Sequence, residues 1–388
     1  MGRQVAIIGV GQTKHGNRSE ITYPDMVREA VLAAYEDAGI SPDDIGGVVY
    51  GSMPSMMEGV GMNHFYFADA LRTVGKDFMR TETCGTTGIS LAFTGYYWVA
   101  SGCADLVLVV GSEKQHEGDS QPTIVTVYDP FYQRPFTSGA PGIYSWLCQD
   151  WMWRYDLPED EVRDAAAKLS VDHHRDGILN PYAHIKREVT ADEVKNSPII
   201  VSPIRFLDIC PTSDGACAMI FASEEMVKKI GKKTAWVKGI GFRGDEYSVG
   251  DCDRVQSESP RQAAEQAYKM AGVTDPVAEL DVAELYNPFT FMEMIHYESF
   301  GFCEPGRAPE EVLQGKFARS GELPCAPSGG VLCTNPIGAC AMLRVAEIAL
   351  QVTGQAGEHQ IEGAKLGFAH GLGGLNQFNG VMILGGDI

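Results

Sequence analysis

The chain's 388 residues, 44% hydrophobic and 21% charged, suit one large two-lobed domain or two average ones and exclude disordered and fibrous classes. A formal net charge of −20 argues against a nucleic-acid binder and makes any anionic ligand dependent on local basic residues. Ten cysteines with no C-x-x-C pair and no Cys/His grouping at zinc spacing make a metal site within this chain unexpected.

No charged-then-apolar leader opens the sequence, no apolar run approaches membrane-spanning length, and Met1-Gly2 lacks the Ser or Thr at position 6 that myristoylation favours. The expectation is a cytoplasmic protein with reduced thiols. Val5–Val10 reads as a buried strand, and Tyr23 to Gly39 has helical spacing with Gly39 as its stop. Gly46–Gly51 is a second strand, and the Met-rich piece to about Phe78 is expected to hold a helix. Next comes the Thr- and Gly-rich turn Arg80–Gly88, running into the helix-compatible Ile89–Ala100, and then the strand Asp105–Gly111. Strands alternating with helices imply parallel crossover units in a layered α/β fold, to which Ala216–Ala222 adds another strand.

Between Ser112 and Ser213 the alternation breaks down. Tyr128–Phe136, with Tyr144, Trp146, Trp151 and Trp153 behind it, is too rich in aromatics and prolines for a plain crossover. It reads as an inserted loop domain covering the site, with most of its aromatics in its own core. Val162–Asp172 is expected as a helix, with His173, His174 and His184 on a solvated face. The alternation then resumes: Thr234–Gly241 strand, Pro260–Gly272 helix, Val282–Tyr286 strand, Gly338–Leu350 helix, and strands at Lys365–Ala369 and Gly380–Leu384. This repeats the first half's order, an internal duplication in which the Cys84 helix corresponds to the Gly338 helix. The expected organisation is an N-terminal half (1–111 and 214–227), an insertion (112–213) and a C-terminal half (228–388). Gly239-Ile-Gly-Phe-Arg-Gly244 fits G-x-G-x-x-G, but the polar Asp245–Asp251 follows where a dinucleotide site needs an apolar helix.

Cys84 stands at or just before a helix start, where unpaired N–H groups and the helix dipole favour a thiolate nucleophile. Its alternative is that of most free cysteines, a small buried hydrophobe. The run Cys84-Gly-Thr-Thr-Gly88 resembles the acyl-accepting cysteine of the thiolase superfamily, and the resemblance continues in three loops of the second half. It implies the duplicated thiolase fold, two βαβαβ-type halves in αβαβα layers, and an acyltransferase that needs a thiolate, an acid/base and oxyanion holes.

Tyr286-Asn-Pro-Phe289 is similar to the Asn-Glu-Ala-Phe or His-Asp-Cys-Phe loops, with Asn287 or Tyr286 as a water-mediated oxyanion donor or, equally, an Asn-Pro turn ending a strand. Pro327–Gly338 resembles the glycine-rich loop that ends in Gly-His-Pro, with Asn335 in the histidine's place and Ser328 and Gly329 as expected substrate contacts. His370-Gly-Leu-Gly-Gly374 resembles the Cys-x-Gly loop, with His370 as the expected acid/base and Leu372 and Gly373 against the acyl group. His296 reads as a helix-end or interface histidine, while Cys333 and Cys340, which flank the Asn335 loop, read as packing residues with a thiol at the site as the alternative.

The branch it resembles works with a separate small OB-fold/zinc-ribbon subunit. The expected assembly is therefore a homodimer core within a heteromer, with coenzyme A as co-substrate, no cofactor in this chain, and zinc only in the partner. Within the branch, the substrate expected is (S)-2-benzoylsuccinyl-CoA, cleaved to benzoyl-CoA and succinyl-CoA in anaerobic toluene degradation. The aromatic insertion would wall a phenyl ring, and Arg134 or Arg154 would meet a free carboxylate, although aliphatic or steroid-derived acyl groups fit as well. Alternatives are a retro-aldolase acting on a β-hydroxyacyl-CoA without acylating Cys84, and a non-catalytic scaffold.

Overall fold

The computed structural model describes residues 3–386 apart from 54–56, 58, 137–138, 249 and 252. Strand β1 (Val5–Gln12) leads to helix α1 (Tyr23–Ala38), whose first turn is capped by the Thr22 hydroxyl accepting the Asp25 N–H. Strands β2 (Gly47–Gly51) and β3 (Asp77–Arg80), helix α2 (Thr87–Ser101) and strand β4 (Leu106–Lys114) follow. The excursion from the sheet holds two long helices, α3 (Gly139–Arg154) and α4 (Glu159–Leu179), and returns through β5 (Asp214–Ser223). The second half comprises β6 (Ala235–Gly244), α5 (Glu258–Ala271), β7 (Val282–Glu284), α6 (Thr290–Ser299), α7 (Ile337–Thr353), β8 (Leu366–Gly373) and β9 (Phe378–Gly385).

The sheet runs β3-β2-β4-β5-β1-β6-β9-β8-β7. Its two halves meet at the β1–β6 seam through the pairs Ala6–Trp236 and Ile7–Ala235. Outward from the seam, β1, β5, β4 and β2 on one side match β6, β9, β8 and β7 on the other. In each half the first three strands pair antiparallel and the last pairing is parallel. Helix α1 covers β1 and β5, helix α5 covers β6 and β9, and α2 and α7 pack against each other between the half-sheets. The result is the αβαβα layering of a duplicated thiolase-type fold, and β4 and β5 are buried along their whole length because helices cover both faces.

The contact between α2 and α7 positions the site. A Cβ built on Gly88 would stand 2.3 Å from the Met342 backbone nitrogen, so only glycine lets the two helices approach backbone to backbone. Their N-termini, carrying Cys84 and Asn335 in the preceding turns, are thereby brought together.

Several sequence expectations change. Strand β3 was unforeseen, being only four residues at the sheet edge. The Met-rich stretch holds two four-residue helices, Asn63–Tyr66 and Ala68–Leu71, and part of it lies outside the described residues. Strand β4 continues to Lys114, so the chain leaves the sheet later than residue 112. The aromatic stretch contains a 16-residue helix, α3. His173 and His174 are buried rather than solvated, because α4 is packed on both sides. The G-x-G-x-x-G run lies within β6, with no helix among the described residues between it and Glu258.

Candidate active site

Cys84 has a left-handed backbone, φ 58°, unusual for a side chain with a Cβ. This tight turn, closed by the Thr87 N–H donating to the Cys84 carbonyl at 2.9 Å, brings the sulfur within reach of the Gly85 and Gly374 backbone N–H groups. Burial nevertheless dominates and holds the thiol above its ordinary pKa, with the two N–H groups acting in the opposite sense. The helix start alone does not make Cys84 a resting thiolate.

Cys84 lines a cavity of about 130 Å³ with Asn335, Cys210, Tyr286, Leu372 and Gly373. The insertion contributes Ile124, Val127, Tyr128 and Tyr144, so part of its aromatic content faces the site rather than only its own core. Tyr144 Oη donates to the Gly374 carbonyl at 2.8 Å, fixing the loop whose N–H points at Cys84. Among the described residues, none of those lining the cavity carries a carboxylate, ammonium, guanidinium or imidazole group.

Three loops form the wall opposite Cys84. The Cys210 N–H donates to the Pro288 carbonyl at 3.0 Å, tying the end of the insertion to the Tyr286–Phe289 loop. The Asn335 N–H donates to Ser213 Oγ at 3.1 Å, and Gln115 Nε2 donates to the carbonyls of Ser213 (3.1 Å) and Asn335 (2.5 Å). Asn335 Nδ2 donates to Cys210 Sγ at 3.0 Å. Cys210 escaped the sequence reading because its Ile-Cys-Pro-Thr context carries no local signal. Only the return of the insertion brings it to the cavity.

The other expected site residues lie outside the cavity lining. His370, expected as acid/base, is wholly buried; its Nε2 pairs with Asn379 Oδ1 at 2.9 Å and its ring packs 4.6 Å from that of His296. Burial, together with the neighbouring His296, holds it well below the usual histidine pKa, in the neutral form. Two residues further along β8, Leu372 reaches the cavity, so the glycine-rich motif contributes its last three residues rather than its histidine. Asn287 Oδ1 pairs with His296 Nδ1 at 2.5 Å beneath the cavity floor, while its neighbours Tyr286 and Pro288 line it. His296, in the last turn of α6, also reaches Asn376, within a buried polar core.

Ser328 is bound up with a buried ion pair: its N–H donates to Glu284 Oε1 at 3.0 Å, and its hydroxyl accepts from Arg344, which also pairs with Glu284. The Gly329 carbonyl meets His173 Nδ1 at 3.3 Å, tying the loop to α4. Arg134 donates to the carbonyls of Tyr128 (2.8 Å) and Thr126 (2.6 Å), bracing the insertion's own backbone. Arg154 is paired with Asp253 at 2.6 Å. Among the described residues, no group of three or more His, Cys, Asp or Glu is placed to hold a metal ion. Nor is any helix among them long and apolar enough to cross a membrane.

Comparison with known proteins gives a consistent picture. Residues 241–386 match the family described as thiolase C-terminal domain-like. The chain is 31% identical over 378 residues to an acetyl-CoA acetyltransferase of Methanothermobacter thermautotrophicus, covering 96% of this chain and 97% of that protein. It is 28% identical to the benzoylsuccinyl-CoA thiolase subunit BbsB of Thauera aromatica, covering 93% and 92% respectively. Among solved structures, an Ltp2-ChsH2(DUF35) aldolase aligns over 100% of this chain and 98% of its own, with TM-score 0.84 and 24% identity, a likeness of fold.

Proposed function

Because this chain belongs to the thiolase superfamily of acyltransferases, we propose that it cleaves a β-ketoacyl-CoA with coenzyme A through an acyl-Cys84 intermediate. The observation that carries this reading is the placement of Cys84: a thiol in a left-handed turn, facing a largely apolar cavity, with the Gly85 and Gly374 N–H groups at its sulfur. The thiolate adds to the β-carbonyl carbon, and backbone N–H donors that hold the anionic sulfur also favour charge building on the adjacent oxygen. Tyr286, whose phenol is kept protonated by burial, is a further donor lining the same space.

The cavity volume limits the acyl group. A cavity of about 150 Å³ encloses one benzene ring, so the 130 Å³ here suits a single small aromatic or short aliphatic acyl group and not a steroid nucleus. With Tyr128, Tyr144 and Phe289 in its wall, the site supports (S)-2-benzoylsuccinyl-CoA as substrate, giving benzoyl-CoA and succinyl-CoA, in line with the Thauera relative. Among the described residues the lining offers no cation for the substrate's free carboxylate or for coenzyme A, and the chain carries a net charge of −20. A partner subunit of the OB-fold/zinc-ribbon kind would supply those cations and hold any zinc; the DUF35 component named in the aldolase neighbour is consistent with such a partner.

One observation favours a second reading. A thiol pushed up by burial, with no imidazole among the described residues of the lining, also suits a retro-aldolase that acts on a β-hydroxyacyl-CoA and leaves Cys84 unacylated. Incubation of the chain, co-expressed with its partner, with benzoylsuccinyl-CoA and, separately, with its β-hydroxy counterpart separates the two. Thiolysis of the ketone requires added coenzyme A, yields benzoyl-CoA, and is lost in Cys84→Ala. Cleavage of the hydroxy compound that survives Cys84→Ala and needs no coenzyme A, with the ketone left intact, contradicts the proposal.

A further inference from the structure

Cleavage of the carbon–carbon bond leaves an enolate that must be protonated, and the mechanism so far names no group to do it. His370 does not line the cavity. Five titratable side chains do line it among the described residues: Cys84, Cys210, Tyr128, Tyr144 and Tyr286. Cys84 is occupied as the nucleophile, and Tyr144 already donates its proton to the Gly374 carbonyl. Tyr128 and Tyr286 also line it, but among the described residues no side chain donates to either phenol oxygen to hold an anion there, whereas Asn335 Nδ2 donates to Cys210 Sγ at 3.0 Å.

We infer that Cys210 is the acid/base partner of Cys84, its thiol protonating the enolate carbon and its thiolate then receiving the proton of the incoming coenzyme A thiol. This rests on the thiolase reading above. Two features of the site support it. Cys210 is held rigidly, its N–H on the Pro288 carbonyl and its sulfur on the Asn335 amide. Asn335, a buried residue of the cavity lining, has an Oδ1 that is itself buried without a hydrogen-bond partner among the described residues while Nδ2 donates to the sulfur.

An amide in this position serves both states of the thiol. Nδ2–H donates to a Cys210 thiolate, and a half-turn about the terminal bond presents Oδ1 to a Cys210 S–H, leaving Nδ2 free to face the substrate oxygen. An imidazole in the same place would compete for the proton, whereas the amide only stabilises whichever form is present. Burial pushes the Cys210 thiol up to about 12, with the Asn335 hydrogen bond opposing, so the resting group is the acid the cleavage step requires.

The steps balance. Cys84 first loses its proton to solvent, and its thiolate adds to the β-carbonyl carbon; the bond from that carbon to Cα then breaks, restoring the carbonyl as a Cys84 thioester and leaving the electron pair on Cα as an enolate. The Cys210 S–H protonates Cα, releasing one acyl-CoA and leaving the Cys210 thiolate. That thiolate takes the proton of coenzyme A, whose sulfur attacks the thioester. The Cys84–acyl bond breaks, and both cysteines return to their starting forms.

The test uses the full chain with its partner and two reactions. Exchange of isotopically labelled coenzyme A into benzoyl-CoA needs Cys84 but no proton transfer at carbon. At pH 8.5, where a free thiol is about half ionised, the incoming sulfur needs no base. Benzoylsuccinyl-CoA cleavage needs both cysteines. The expectation for Cys210→Ala is cleavage lowered about 100- to 10,000-fold, with exchange kept within about tenfold. If that variant loses exchange as well, Cys210→Ser, closer in shape, decides on the same ratio. Cleavage within tenfold of wild type, or equal loss of both reactions in Cys210→Ser, overturns the assignment of Cys210. A wild-type protein that performs neither reaction overturns the thiolase reading itself, and this inference with it.

Discussion

The buried pair His173–Glu293 joins the insertion to the second half of the fold, and its stability should depend on pH in a calculable way. His173 Nε2 lies 2.9 Å from Glu293 Oε2 on α6, while its Nδ1 faces the Gly329 carbonyl of the loop that carries Asn335. Burial alone would lower the histidine's pKa, but the Glu293 charge and hydrogen bond outweigh it and raise the value from 6.5 to about 9. A rise of that size is worth about 3 kcal/mol at roughly 1.4 kcal/mol per unit. Since the folded-state value lies above the unfolded one, this stability is fully present below pH 6.5 and is lost as pH rises through 9. Replacing the pair by neutral partners, His173→Asn with Glu293→Gln, removes the titration without leaving a lone buried charge. Urea unfolding of both proteins between pH 6 and pH 10 should show the difference in unfolding free energy shifting against wild type by about 3 kcal/mol, other groups cancelling. A difference constant within about 0.5 kcal/mol across that range would refute the reasoning.

Other outcomes follow from the same geometry. Since burial holds the Cys84 thiol above its ordinary value, its alkylation by iodoacetamide should still be climbing about tenfold per pH unit at pH 8 to 9; a plateau below pH 8 would mean a resting thiolate. A Cβ on Gly85 would meet the Leu372 carbonyl at 2.6 Å and Gly373 Cα at 3.3 Å, so Gly85→Ala should push the Cys84 turn from the Gly374 loop and lower kcat at least about tenfold. Unchanged kinetics in that variant would show that the Gly374 N–H is not needed at the sulfur. Arg344→Leu strands the buried Glu284 carboxylate and should cost about 3–5 kcal/mol in chemical denaturation, whereas a loss under about 1 kcal/mol would contradict the ion pair's role under the Ser328 loop.

The parts of the site that were legible in the sequence are those whose signals are local. Cys84 stood out because its small-residue turn runs into an apolar helix and Cys-Gly-Thr-Thr-Gly resembles a thiolase motif, and Asn335 because its glycine-rich loop resembles the one that ends in Gly-His-Pro. Leu372 and Gly373, from the run that resembles Cys-x-Gly, line the cavity, while His370 at the start of the same run does not, because in a glycine run a slip of two residues changes which side chain meets the cavity. Ser328 and Gly329 look like contact residues in sequence, yet the carboxylate and guanidinium beneath them, Glu284 and Arg344, come from separate elements that no spacing connects. Cys210 and Tyr144 are contributed by an insertion whose path depends on tertiary packing, so their convergence on Cys84 had no periodic pattern to reveal it. The α3 helix was obscured by its aromatic content, since tryptophans and tyrosines are weak helix formers and here are stabilised by burial of Tyr144 and Trp151.

The central claim is that Cys84 carries an acyl group during turnover. Intact-protein mass spectrometry after brief exposure of the chain and its partner to benzoylsuccinyl-CoA, followed by peptide mapping, addresses it directly. The account predicts a benzoyl adduct on the peptide containing Cys84, absent in Cys84→Ala and discharged by added coenzyme A. Product formation by wild-type protein with no adduct at Cys84 under any quench, and undiminished in Cys84→Ala, would contradict it.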